Sequence, residues 1–313
     1  MPPGTDYEAL DTKISDGVPQ NAEKFYDNSY TADFHEEEIE LFRKKMIASL
    51  ESGRKSIITA PEGFGKNKAI SEALEGEKAG FIDLKLIKRN EEGSDNLPKD
   101  SDFIIYPENI LEREEEFDFF VIMNCSLLRK EELTKVLDLI ENFSGKENKI
   151  LQSWNYSEFL GLKFGHQFYL EKYAEEVISS PKTLEDKHFY YNPLLKKIIK
   201  ESIYTPEEFF KEYNLVDLDE VSETRENILE VLTSGWRNNF GRYRVTSFDA
   251  PTISEMINST YNSELKRSTV STHLSKLRDL ELISKKQEGR KVKYRLQNPF
   301  QKLLVESYLF STQ

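Results

Sequence analysis

A single cysteine, Cys125, in 313 residues leaves no partner for an intramolecular disulfide and rules out a multi-cysteine zinc site. The four histidines, His35, His166, His188 and His273, are scattered without metal-ligand spacing, so no metal centre is read from the sequence. No run approaches the roughly 18 uncharged apolar residues that a bilayer span needs. The opening MPPGTDYEALD lacks the basic-then-apolar order of a secretory leader. These absences exclude a disulfide scaffold, a zinc module and membrane insertion, and they lead to the expectation of a reducing, cytoplasmic compartment. What is present is a hydrophobic content of 38%, enough to build real cores in one large or two medium domains.

The net charge of −13 hides a division near residue 221. Residues 222–313 carry 15 Lys/Arg against 10 Asp/Glu, a net +5, which leaves 28 against 46, a net −18, for residues 1–221. An acidic body with a basic tail is what a DNA-reading module joined to a different domain would produce, because phosphate binding depends on local charge. A tail packed electrostatically on its own body would show the same asymmetry.

Residues 1–33 are polar and punctuated by Pro2, Pro3, Gly4, Gly17 and Pro19, the composition of a loosely ordered lead-in. A helix is expected over 35–52, with Leu41, Met46, Ile47 and Leu50 on one face, then the short strand SIIT at 56–59. A glycine-containing loop, a helix over 66–74, and strands over 79–87, 102–106 and 117–123 follow. A helix over 128–143 and a strand over 148–154 continue the alternation. Strands separated by helices imply a mostly parallel sheet covered on both faces.

The loop after the first of these strands reads Ala60-Pro61-Glu62-Gly63-Phe64-Gly65-Lys66-Asn67 and resembles a P-loop. In that motif glycines let backbone amides wrap the phosphates, the lysine reaches the terminal phosphates, and a Ser/Thr hydroxyl holds magnesium. Gly63, Phe64, Gly65, Lys66 and Asn67 are therefore the candidate nucleotide-binding residues, for ATP or ADP. Asn67, standing where the hydroxyl belongs, offers Mg²⁺ a poorer ligand. A working ATPase also needs an acid at the end of a neighbouring strand, and strand 117–123 ends in Asn124, Cys125 and Ser126. No catalytic residue is assigned, and weak or absent ATPase activity is expected. An ordinary βα turn that contains GFGK is the competing explanation.

The order of parts resembles the archaeal-type branch of the AAA+/STAND ATPases, relatives of the origin-recognition proteins, in which an ATPase core precedes a winged helix. The resemblance runs from about Phe34 to the end. A leading helix precedes GFGK, the strand NKILQSWN ends in the sensor-like polar residues Ser153 and Asn155, and FYYNPLLKKII over 189–199 looks like a lid segment. Tyr190 and Tyr191 stand where the family's glycines would be, and no arginine follows for a second sensor.

In the tail, helices are expected over 224–233, from Thr252 after Pro251, and over 266–280. STVSTHLSKLRDLELISKKQEGRKVKYRLQNP closely resembles the winged-helix domains of ArsR- and MarR-like regulators, with a hairpin over 282–297 turning at Glu288-Gly289-Arg290. The resemblance implies that the third helix reads double-stranded DNA. Small residues Ser268, Thr269, Ser271 and Thr272 permit close approach to a major groove, and Lys266, Arg267 and Lys276 anchor phosphates. Lys285, Lys286, Arg290, Lys291 and Lys293 make a cationic wing suited to a minor groove or phosphate. Basic residues that merely solubilise the hairpin are the plain alternative. His273 is open to DNA contact or to solvent. A last helix over residues 300–310 carries Phe300, Leu303, Leu304 and Tyr308 near one face, for a homodimer contact or for burial within the chain.

The expected fold is α/β: a P-loop NTPase-like parallel sheet over 34–180 with a helical lid or linker over 181–221. An α+β winged helix-turn-helix domain follows over 222–313. The function expected is DNA binding with a degenerate nucleotide-binding domain, in replication initiation, maintenance of a DNA element or transcriptional regulation. The alternatives are an active DNA-dependent ATPase or remodeller and a protein-interaction scaffold.

Overall fold

The computed structural model describes residues 8–9, 34–84, 117–127, 134, 137–138, 149–165, 174–181, 192–213, 218, 221–239 and 242–312. The expected strand over 102–106, most of the helix over 128–143, Tyr190 and Tyr191, and the lead-in apart from β1 (Glu8–Ala9) lie outside these residues.

Five parallel strands form the central sheet: β2 (Ser56–Ala60), β3 (Ala79–Asp83), β4 (Phe119–Met123), β5 (Ile150–Asn155) and β6 (Glu176–Ser179), in spatial order β3-β4-β5-β2-β6. β2 and β4 are buried at every residue, as continuous apolar runs covered on both faces must be. This is the expected α/β architecture of the P-loop type. Strand β3 is shorter than the expected 79–87, and Leu84 already leaves it.

The two faces of the sheet have different covers. Helices α1 (Glu36–Glu51) and α2 (Lys66–Ala73) lay Phe42, Met46, Leu50, Ala69 and Ile70 on one face, against Ile58, Val121 and Leu151. The opposite face, with Ile57, Phe120, Ile122 and Trp154, belongs to a second core that runs without a break into the C-terminal third of the chain. Its cover begins with α3 (Tyr156–Phe164), α4 (Pro193–Glu201) and α5 (Pro206–Glu212). No helix was expected from the sequence directly after β5; YSEFLGLKF is apolar nearly all round, without the one-sided stripe of a surface helix, and it is buried on most sides. Asn192 caps α4 by accepting from the Leu194 and Leu195 amides, with Pro193 preset at its first turn.

The C-terminal third begins with α6 (Glu223–Ser234), α7 (Ala250–Tyr261) and α8 (Arg267–Asp279), which pack on one another. An antiparallel sheet in the order β10-β11-β9 leans on them, made of β9 (Phe248–Asp249), β10 (Ile283–Glu288) and β11 (Lys291–Leu296). Gly289 turns the hairpin at φ +59, with nothing within 4 Å of where a Cβ would stand. A second hairpin, β7 (Trp236–Asn239) with β8 (Arg242–Val245), is inserted between α6 and α7, and β1 pairs with β8.

The chain closes with α9 (Pro299–Ser311), buried from Pro299 to Phe310 against its own chain. Of the two uses expected for this helix, self-burial is the one realised. The apolar stripe expected for a homodimer contact through residues 300–310 is spent on this burial within the chain.

Candidate functional site

Two sites were expected, and the structure builds them on different elements. The first is the loop after β2. Gly63 and Gly65 adopt φ +79 and +75, a left-handed conformation that the glycines of such a loop supply without strain. Lys66 opens α2 and is only 6% exposed. Burial pulls its ammonium down to about 8, partly offset by Cys125, Glu158, Glu306 and Glu62. Burial holds the Cys125 thiol up at about 12, neutral at pH 7, so the negative charge facing Lys66 comes from carboxylates. Lys66 forms no ion pair within 4 Å among the described residues.

Asn67 faces the ends of β4 and β5. Its amide donates to Asn124 Oδ1 at 3.1 Å, and its carbonyl oxygen accepts from Ser153 Oγ at 3.0 Å. Asn124 stands at φ +60, one of the few non-glycine positions in the left-handed region. The three side chains that would surround magnesium thus satisfy one another, and none is a carboxylate. Asn155, the other sensor-like residue, is half-buried and donates its backbone N–H to Ser126 Oγ at 2.9 Å.

The other side of the loop is covered. An ideal Cβ on Gly63 would lie 2.1 Å from Leu194 Cβ and 3.0 Å from Asn192 Oδ1, so the N-terminus of α4 sits directly on this glycine. Asn192 Nδ2 donates to Glu62 O at 2.7 Å and to Ser307 Oγ at 3.1 Å. Phe64 packs edge-on to Phe310 of α9, with ring centroids 5.7 Å apart. Glu62, Lys302 and Glu306 form a buried ion cluster, with Lys302 Nζ 2.9 Å from Glu62 Oε2 and 2.7 Å from Glu306 Oε2. Burial works to lower Lys302, but Glu306, Glu62 and Glu158 outweigh it and hold its ammonium above the ordinary range. Three carboxylates, an amide pair in place of a magnesium site and a helix on Gly63 do not fit a magnesium nucleotide. The sequence signal for this cluster was the i,i+4 pair Lys302 and Glu306 on an otherwise apolar helix.

The second site lies on α8 and the β10–β11 hairpin. Val270, Leu274 and Leu277 point into the core, as expected, and Lys266, Arg267, Ser268, Ser271, Thr272 and Lys276 are exposed. Thr269 is half-buried, and Thr272 spends its hydroxyl donor on Ser268 O at 3.1 Å. No acidic residue stands in the first turn of α8, where the helix dipole adds to Lys266 and Arg267. His273 is half-buried rather than solvent-facing, and burial, Lys276 and Arg225 lower its pKa.

On the hairpin, Lys285, Lys286, Arg290 and Lys291 are exposed and Lys293 is half-buried. The ribbon is less uniformly cationic than its sequence. Glu288 accepts Lys293 at 2.6 Å and lies 4.0 Å from Lys286, while Asp249 lies 3.5 Å from Lys291. These partners belong to the hairpin and to β9 beside it, not to the acidic body.

No protein-family model matches the chain, and no curated protein matches it. Solved structures similar to it include the Aeropyrum pernix ORC2 protein in ADPNP–ADP complexes, 14% identical, covering 92% of this chain and 98% of that one, with a TM-score of 0.35. Cdc6p from Pyrobaculum aerophilum is 9% identical, covering 93% and 98%, at 0.32. Drosophila ORC bound to AT-rich DNA and Cdc6 is 13% identical, covering 88% and 93%, at 0.27. No described helix is long and apolar enough to cross a membrane.

Proposed function

We propose that this protein binds double-stranded DNA through a winged helix-turn-helix formed by α6–α8 and the β9–β11 sheet, carried on a P-loop-type α/β body that serves as a platform. The observation that carries the reading is the convergence on α8 of exposed small side chains, Ser268, Ser271 and Thr272, flanked by exposed Lys266, Arg267 and Lys276. Small residues let a helix approach base edges, and the cations match phosphates on the groove rim. The hairpin adds Lys285, Lys286, Arg290 and Lys291 on an extended strand pair beside that helix, the geometry of a wing that tracks a neighbouring backbone. Arg290, next to Gly289 at the turn, is the foremost of these cations.

Replication initiation, maintenance of a DNA element and transcriptional regulation all use this reading, and the resemblance in order of parts to origin-recognition proteins favours the first. The active-ATPase alternative lacks an acid at Asn124 and a hydroxyl at Asn67.

The test is duplex binding by the full chain as a function of salt. With about five phosphates neutralised, log K falls against log salt with a slope near −4 to −5. Arg290→Ala lowers that slope by about one and weakens all sequences alike. Salt-independent binding, or none at low ionic strength, would overturn the proposal and leave the protein-scaffold alternative.

A further inference from the structure

The buried cluster beneath the P-loop has the chemistry of an occupied anion site. Glu306, fully buried on α9, accepts the backbone N–H of Ser157 at 2.8 Å through Oε1 and that of Glu62 at 3.4 Å through Oε2. Lys302, itself 1% exposed, completes the set at 2.7 Å. Backbone amides from a P-loop and from a helix N-terminus, joined by a lysine, are how proteins hold phosphate. Here they hold a carboxylate carried by the same chain. The ring of Phe310 against Phe64 and Tyr156, and Ser307 against Asn192, seat the same helix over the same loop.

We infer that the P-loop of this protein is a socket for its own C-terminal helix, in which the Glu306 carboxylate is a built-in substitute for phosphate, and that ATP and ADP are excluded from it. A nucleotide entering here would have to lift α4 from Gly63, displace Glu306 from two amides and bring further negative charge beside Glu62 and Glu158. Ion-pair members taken from such a site leave their partners buried and uncompensated, which makes the helix a tight plug. Lys66, the cation left from the motif, already has these three carboxylates as its surroundings. The inference is independent of DNA binding: it holds whether or not α8 contacts a duplex.

Two measurements on the full chain decide it. Calorimetric titration with ATP and with ADP, each with and without Mg²⁺, yields no binding up to millimolar concentration. Binding tighter than about 100 μM that Lys66→Ala abolishes would overturn the inference. In the second, Glu306→Ala vacates the two amides and takes the carboxylate at 2.7 Å from Lys302. Inorganic phosphate then raises the melting temperature of the variant by about 4 °C over chloride at equal ionic strength, and leaves the wild type unmoved. Should Glu306→Ala not fold in chloride, recovery of its far-UV circular dichroism on adding inorganic phosphate takes the place of the melting shift. A folded variant indifferent to phosphate would show that Glu306 holds no anion site.

Discussion

Single residues around the P-loop carry consequences that their sequence neighbours do not announce. Glu158, in the first turn of the helix that follows β5, is 7% exposed, and its carboxyl is raised from 4.5 to about 7. Burial is the main cause, reinforced by Glu62 and Glu306 and opposed by Lys302 and by the Ser157 hydroxyl that donates at 2.7 Å. Because the folded chain holds this proton more tightly than the unfolded chain, the contribution to stability is fully present below about pH 4.5. It declines as pH rises to about 7 and is level above that. Glu158→Gln removes this decline. Compared with the variant, the wild type should lose of order 2–3 kcal/mol between pH 4.5 and 8, measured by urea denaturation at each pH. A pH-independent difference between the two would contradict this account. Lys66 acts in another window: its lowered value costs stability at neutral pH, and that cost fades as pH rises from about 8 to 10.5. From sequence, Gly63, Gly65 and Lys66 can be read because motif spacing is local. The surroundings of Glu62 and Glu158 cannot, because Glu306 lies 244 residues from Glu62 and 149 from Ser157, the neighbour of Glu158.

Among elements, α8 and α9 show how differently two helices of 13 residues can be read. In α8 the apolar positions 270, 274 and 277 and the polar remainder fix which face is inward, so periodicity alone assigns its exposed cations. In α9 the stripe through Phe300, Leu303, Leu304 and Tyr308 identifies a packing helix but not the surface it packs on. The deciding feature is polar: Lys302 and Glu306, one turn apart, sit where a solvent-facing pair would be expected and are both buried. Removing one partner of such a group strands the others. Lys302→Met, which keeps the aliphatic stem, should therefore destabilise the chain by about 3–5 kcal/mol, read from the urea midpoint at unchanged m-value. A loss below about 1 kcal/mol would mean that water reaches the cluster. The hairpin β7–β8 is not legible in the sequence because WRNNFGRYRV alternates weakly, and among its described side chains Trp236 and Val245 are the ones anchored in the core.

For the whole molecule, the division near residue 221 seen in the charge does not divide the interior. Helix α6 packs on α3, and the core containing Ile57, Phe120 and Trp154 continues through Leu229 and Val270 to Leu304. Buried Glu230 reinforces the junction, meeting Tyr156 at 3.3 Å, Lys163 at 3.2 Å, and Tyr261 of α7. The chain should unfold as one cooperative unit, and its two tryptophans test this, since Trp154 lies in β5 and Trp236 follows α6. Trp154→Phe and Trp236→Phe, each leaving one reporter, should each give a fluorescence midpoint that coincides with that from far-UV circular dichroism on the same variant. Separated transitions would show two independently stable halves. Alternating strands and helices, the GFGK loop between them, the small and basic residues of α8 and the glycine-turned hairpin were determined by sequence alone. Each is a pattern of neighbours, set by backbone periodicity and by the side chains a local geometry requires. Only the tertiary structure decided that α9 reaches α3 and the P-loop, that α4 closes on Gly63, and that a carboxylate from near the C-terminus sits on the amides of the P-loop. Those outcomes depend on contacts between residues more than a hundred positions apart, where burial and charge compensation choose the partner and local pattern carries no record of it.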